Sequence, residues 1–343
     1  MLEMPTDFTQ AAAWLPLVFA FVMALAMLAY VILDGYDLGV GVLLNSAEDS
    51  QKDSMIASIG PFWDANETWL VLGVGVLLVA FPLAHGVILG ALYLPVAFML
   101  VALTLRGVAF DFRVKARTEH KPLWDKAFFI GSLLASISQG FMLGSLITGF
   151  KGDAWSNLFS LLIGLCMVAA YALLGAGWLI MKSEGALQLK AITWARKSLW
   201  LTAAGVAAIS LATPMISARI FEKWFSFPNV IMLFPIPAVT LALFLVIARS
   251  LKRLPSRLAQ NNQYGAAVPF ACTVGVFVLA FYGLGYSLFP WLVVDEISIW
   301  QAASSTAALQ VIFYGVLVVL PVIIGYTVYA YRVFWGKSTA LKY

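Results

Sequence analysis

Long apolar runs alternate with short polar breaks along almost the whole chain. Nine runs, each about 19 to 24 residues long, can cross a bilayer as helices. They fall at 12–33, 59–80, 84–105, 127–147, 158–181, 199–217, 229–248, 266–289 and 309–331. Eight hold no charged residue, and the second holds Asp64 and Glu67. The second and third are joined only by Phe81-Pro82-Leu83, so one long buried hairpin is the alternative to two crossings. The connecting loops are short. The pattern predicts an all-α integral membrane protein, with residues 1–343 forming a single polytopic membrane domain and no soluble domain.

Composition agrees. The chain is 62% hydrophobic and 11% charged, with a mean hydropathy of +0.92; a soluble domain of this size carries far more charge. The N-terminus holds Glu3 and Asp7 where a signal peptide has a basic region, so the first run reads as a retained span. Cys166 and Cys272 lie in separate apolar runs and read as small core residues. Trp14, Tyr30, Trp69, Tyr93, Trp155, Trp178, Trp200, Trp224, Trp291, Trp300 and Trp335 fall near span ends, where aromatic belts form. There is no Walker loop, dinucleotide fingerprint or Cys-x-x-Cys.

The sign of the charge orients the spans. With the N-terminus outside, 18 of the 21 Lys and Arg residues fall on inside segments. The densest inside segment, 106–126, holds Arg106, Arg113, Lys115, Arg117, Lys121 and Lys126, and the last one holds Lys342. Only Lys151, Arg219 and Lys223 fall outside. The positive-inside rule then gives N-out and C-in.

Four acids break the apolar pattern. Asp34 and Asp37 lie at the inner end of the first span, whose helix either continues, tilted, through the apolar Leu38–Leu44 or bends at Asp34-Gly35; Asp64 and Glu67 open the second. A spacing of three puts each pair on one helix face. Asp34 lies roughly 33 Å along from Ala12, at the inner edge of the hydrocarbon, and Asp64 and Glu67 about 8 and 12 Å in from the same side. An Asp at membrane depth costs about 2.5 kcal/mol or more. Acids at that level suit proton uptake, with Asn66 as a donor to a neighbouring acid. The bland alternative is that Asp34 ends a helix at Gly35 and Asp64 caps one after Pro61-Phe62-Trp63. Gly39 and Gly41 suit a close neighbour helix or subunit. The two histidines, His85 and His120, lie at opposite ends of the membrane layer, so this chain is expected to ligate no haem and no other metal.

Asp34-Gly35-Tyr36-Asp37-Leu38-Gly39-Val40-Gly41 resembles the N-terminal motif of subunit II of the cytochrome bd-type quinol oxidases. Pro61-Phe62-Trp63-Asp64-Ala65-Asn66, Arg106-Gly107-Val108-Ala109-Phe110-Asp111-Phe112-Arg113 and Ser298-Ile299-Trp300-Gln301-Ala302-Ala303-Ser304-Ser305 resemble three more of its motifs, in order. The resemblance implies two four-helix bundles plus one peripheral helix. It also implies a homologous haem-bearing subunit I holding two b-type haems and one d-type (or b-type) haem. A small single-span subunit and a bound quinone or lipid belong to the same picture. The complex would oxidise quinol and reduce oxygen to water in the bacterial cytoplasmic (inner) membrane, taking protons from the cytoplasm. By position, the resemblance puts Asp37 and Asp64 on the proton path with Trp63 beside them, and Asp34 and Glu67 as lesser candidates. Glu67 departs from the Gln common in the family. The short chain fits either shorter outer loops or the cyanide-insensitive branch. Two other readings stand beside this one: a cation- or proton-coupled transporter using the four acids, and a purely structural membrane partner.

Overall fold

The computed structural model describes residues 5–216 and 218–338; Glu3 and Lys342, used above, lie outside them. In chain order the helices are α1 (Ala11–Leu44), α2 (Asp49–Ile59), α3 (Trp63–Ala80), α4 (Pro82–Ala91), α5 (Tyr93–Lys115), α6 (Lys121–Ile147) and α7 (Ala154–Lys182). They continue with α8 (Gly185–Ile216), α9 (Ala218–Phe225), α10 (Asn229–Leu233), α11 (Pro235–Leu258) and α12 (Val268–Leu288). A two-stranded antiparallel hairpin, β1 (Trp291–Val293) and β2 (Ile297–Ser298), leads into α13 (Ile299–Ala302) and α14 (Thr306–Val333). Among the described residues, nine helical spans are long and apolar enough to cross a membrane, with α10 and α11 counted as one span.

The spans sit where the apolar runs predict, but three ends differ. α1 does not stop at Asp34-Gly35; it continues unbroken to Leu44, 34 residues in all. Residues 34–41 are buried on every side, because the inner half of α1 is the axis of the molecule. The third run divides at Leu92. Pro95 lacks the N–H that would bond the carbonyl four residues back, which opens the ladder at that turn. α5 then runs past the predicted end of its span to Lys115. Arg106 and Arg113 are therefore helical and buried rather than loop cations.

The helices form two four-membered bundles. α1, α3, α5 and α6 pack in the first; α7, α8, α11 and α12 pack in the second. α14 runs alongside α1 as a peripheral helix. The seam between bundles is α7 against α1 and α6, and small residues set its closeness. A Cβ on Gly39 would overlap the Tyr171 carbonyl oxygen, and one on Gly175 would fall 2.5 Å from the carbonyl carbon of Gly39. Backbones in such contact gain dispersion along the whole crossing, which is what holds helices together where lipid removes the hydrophobic drive.

The end of the molecule that carries most of the basic residues is closed by α2. Met55, Ile56 and Ile59 enter the core. Trp178 on α7 stacks on Tyr36 with centroids 4.1 Å apart and donates its indole N–H to the Ser58 carbonyl at 3.1 Å. Trp178, Tyr30 and Trp69 are thus buried residues, not members of an interfacial belt; each has core partners that a position near a span end does not reveal. At the other end, Trp300 donates to the Ala13 carbonyl at 2.9 Å, tying the hairpin region to the start of α1.

Candidate functional site

The inner stripe of α3 is Asn66, Trp69, Gly73, Val76 and Ala80, a three-four spacing that turns one face to α1. Asn66 therefore points inward. Asp64, two residues earlier, points about 200° away and is exposed. Glu67 lies between the two faces and is half-buried, with 27% of its side chain accessible. Asp64 takes no capping role; it sits in the first turn of α3, where an acid favours the helix dipole.

The buried acids gather around Arg106. Its Nη1 lies 2.6 Å from Asp34 Oδ1, and its Nη2 pairs with Glu67 Oε1. One acid from each sequence cluster thus shares a single guanidinium. The two clusters do not meet as intact pairs. Asp37 lies a turn beyond Asp34, and its partner is Asn66, whose Nδ2 donates to Oδ2 at 2.8 Å. Asp37 Oδ1 meets no donor among the described residues. Trp63 packs on Phe110 and over Gly107 of α5, walling the site beside Arg106.

Two hydrogen-bonded chains run into this cluster. In the first, the Tyr171 hydroxyl donates to Gln139 Oε1 at 2.6 Å, and Gln139 Nε2 donates to the Tyr30 hydroxyl at 2.7 Å. Tyr30 stands one turn before Asp34 on α1, which brings this chain up beside the carboxyl. In the second, Asn66 Nδ2 also reaches the Tyr36 hydroxyl at 2.9 Å and the Leu33 carbonyl at 3.2 Å. Tyr331 of α14 donates to Asn66 Oδ1 at 3.1 Å and lies 2.7 Å from the Tyr36 hydroxyl.

A second ionic cluster sits at the basic end. Arg113 bonds Asp53 through Nη1 at 2.7 Å and pairs with Asp125 through Nε. Lys52 reaches Asp49 at 2.7 Å and Asp125 at 3.2 Å, and Lys121 reaches Asp53 at 3.3 Å. The Lys52 ammonium holds the Asp49 carboxyl below its usual range. Burial pulls Asp53 upward, but the hydrogen bonds and charges of Arg113 and Lys121 outweigh it and leave that carboxyl low as well.

Among the described residues, no group of three or more His, Cys, Asp or Glu side chains could hold a metal. His85 follows the start of α4 and His120 stands at the N-cap position of α6, with about 45 Å of helix in α4 and α5 between them. Their placement does not fit a haem held by two imidazoles of this chain.

A family model described as cytochrome bd terminal oxidase subunit II matches residues 15–334. The chain belongs to that family. Among similar subunits II, the cytochrome bd ubiquinol oxidase subunit 2 of Bacillus subtilis (strain 168) is 28% identical over 333 residues, covering 91% of this chain and 93% of that protein. The cytochrome bd-I ubiquinol oxidase subunit 2 of Escherichia coli (strain K12) is 27% identical over 359 residues, covering 91% and 92%. The fold is that of a chain in the solved structure of bd oxidase from Geobacillus thermodenitrificans: TM-score 0.74 at 18% identity, covering 94% of this chain and 98% of that one. In this subunit II, the motif residue whose part the sequence hides is Arg106. It reads as one more positive-inside cation, because it ends an apolar run. Four acids within one span's reach of it were the available signal.

Proposed function

We propose that this chain is the non-haem subunit of a bd-type terminal oxidase in the bacterial cytoplasmic membrane. The complex oxidises quinol and reduces oxygen to water. This chain scaffolds the haem-bearing subunit I and lines a path for protons from the cytoplasm, with its N-terminus outside and its C-terminus inside. The haems, when bound in the partner, supply the electron transfer from quinol to oxygen. Family membership favours this reading over a transporter.

The observation that carries the proton path is the inventory of the buried site. Asp34, Asp37 and Glu67 face one cation, Arg106. Arg106 is shared by Asp34 and Glu67, while Asp37 has an amide donor on one oxygen and an open second oxygen. Such a carboxyl can take up a proton and release it without breaking an ion pair. Asp34 and Glu67 continue the acid line towards the exposed face of α3, and Asp64 stands there as the surface group. Trp63 keeps the wall apolar, and Asn66 orients Asp37.

Turnover per haem in assembled complexes tests this. Asp37→Asn keeps size and hydrogen bonding but holds no exchangeable acid proton, and turnover falls about a hundredfold or more. Asp64→Asn lowers it about tenfold, and Asp64→Glu keeps most of it. Wild-type turnover in both Asn variants removes the path; loss of haem along with turnover makes these acids assembly residues instead.

A further inference from the structure

The peripheral helix α14 packs little against the rest of the chain: Tyr314, Leu317, Val318, Val322, Val328 and Tyr329 are all exposed. A cleft of about 370 Å³ lined by Leu33 of α1 and Thr327, Val328, Tyr331, Arg332 and Trp335 lies along its inner half. One of its hydroxyls nevertheless reaches the acid site. We infer that Tyr331 is a positioning residue: acting from α14, it holds Asn66 with its N–H on Asp37. The inference rests on the proton-path reading above and extends it to a helix that contributes no acid.

Counting protons fixes the directions. Asn66 Oδ1 needs a donor, and Tyr331 supplies it at 3.1 Å. The Tyr331 proton is then committed, so the 2.7 Å contact between the two phenols is made by the Tyr36 proton pointing at the Tyr331 oxygen. The Tyr36 oxygen in turn accepts from Asn66 Nδ2 at 2.9 Å. The result is a closed ring, Asn66 to Tyr36 to Tyr331 and back to Asn66, in which each bond polarises the next. The remaining amide hydrogen is shared between Asp37 Oδ2 at 2.8 Å and, as the longer branch, the Leu33 carbonyl at 3.2 Å. An amide turned by 180° would set its oxygen against both the Asp37 carboxyl and the Leu33 carbonyl. Those two acceptors select the orientation, and the hydroxyl of Tyr331, the one donor on Oδ1 among the described hydrogen bonds, holds the amide in it. The ring of Tyr331 is fixed separately, stacked on Phe62 with centroids 4.6 Å apart. Removing the hydroxyl alone leaves that packing in place.

The charged groups that act most strongly on Asp37 are Asp34 on α1, Arg106 on α5 and Glu67 on α3. The hydrogen-bonded route from Tyr331 to Asp37 runs through Asn66. The experiment uses the assembled oxidase complex carrying Tyr331→Phe. Infrared difference spectra identify the carboxyl or carboxylate band of Asp37 by its loss in Asp37→Asn. In Tyr331→Phe that band shifts, and turnover falls about two- to tenfold with the quinol KM unchanged. Tyr36→Phe opens the same ring from its other side and shifts the band less, because Tyr331 still holds Oδ1. It also serves if Tyr331→Phe complexes fail to assemble. Tyr329→Phe, an exposed phenol on the same helix, leaves band and turnover as in the wild type. A band that keeps its wild-type position in both Tyr331→Phe and Tyr36→Phe overturns the inference. Wild-type turnover in Asp37→Asn overturns the proton-path reading instead, while the band shift still reports whether the ring holds Asn66.

Discussion

Arg106 and Arg113 stand seven residues apart on α5, and both are buried, at 1% and 3% exposure. Their surroundings differ in one respect. Around Arg113, three acids (Asp49, Asp53, Asp125) meet three cations (Lys52, Arg113, Lys121), so the cluster is neutral and complete. Around Arg106, three buried or half-buried acids meet one cation. The first arrangement clamps α2 to α5 and α6. The second leaves an acid without a counter-charge inside a membrane protein, a costly arrangement that a purely structural role does not require. One heptad of a single helix thus separates a charge-balanced cluster from one with an excess of acid.

Removing each arginine tests that contrast, and the inner one carries the largest effect. Arg106→Met strands Asp34 and Glu67, and loss of one partner from a buried pair costs about 3–5 kcal/mol. Thermal melting and yield of the assembled complex measure it. Arg113→Met leaves Lys52 on Asp125 and Lys121 on Asp53, so its cost is about 1–2 kcal/mol. Equal losses in the two variants would end the distinction. Adding Asp34→Asn and Glu67→Gln to Arg106→Met should recover part of the loss, because no buried charge then lacks a partner.

The seam comes next. Gly39→Ala places a methyl group on the Tyr171 backbone, which cannot yield as a side chain can, and costs about 1–3 kcal/mol. It also moves α1, and the acids on it, away from α7. Turnover should therefore fall with stability, whereas Arg113→Met should lower stability alone. Parallel turnover and melting measurements on the two variants separate these outcomes.

The smallest effect is in pH. Asp53 is held below its ordinary carboxylate range when folded. Its contribution to holding α2 is present above about pH 4 and is lost as pH falls through the lowered folded value. Lys52 works in the opposite sense. Burial lowers it, but the hydrogen bonds and charges of Asp49 and Asp125 outweigh that and leave it raised. Its contribution is present below about pH 10 and is lost as pH rises through the raised folded value. The protection factors of the α2 amides, exchange corrected for its intrinsic pH dependence, should be highest between those limits. In Asp53→Asn the acid limb should flatten while the alkaline limb stays.

The spans were legible because each is written locally, as an unbroken apolar run of bilayer length. Their ends were less so. α1 outruns its predicted end because the partners of Asp34 and Asp37 come from other helices, and α5 outruns its own because Arg106 and Arg113 find acids. The four acids stood out, but their pairing did not: Glu67 is 39 residues from Arg106, and contacts at that range leave no periodic mark. The outward turn of Asp64 could have been read from the stripe of Asn66, Trp69, Gly73, Val76 and Ala80, which places Asn66 inside and its neighbour two residues back outside. Tyr331 carried no signal at all, as one aromatic among many on a largely exposed apolar helix.

The sharing of Arg106 also imposes an order on biosynthesis. Asp34 leaves the ribosome 72 residues before Arg106. At about 5–20 residues per second, that is a wait of roughly 4–14 s during which the first span has no cation to meet. Glu67 joins it on the second span still unmatched. Only the arrival of α5 lets the acids settle at their final depth, so insertion of the third crossing is the step that seals the first.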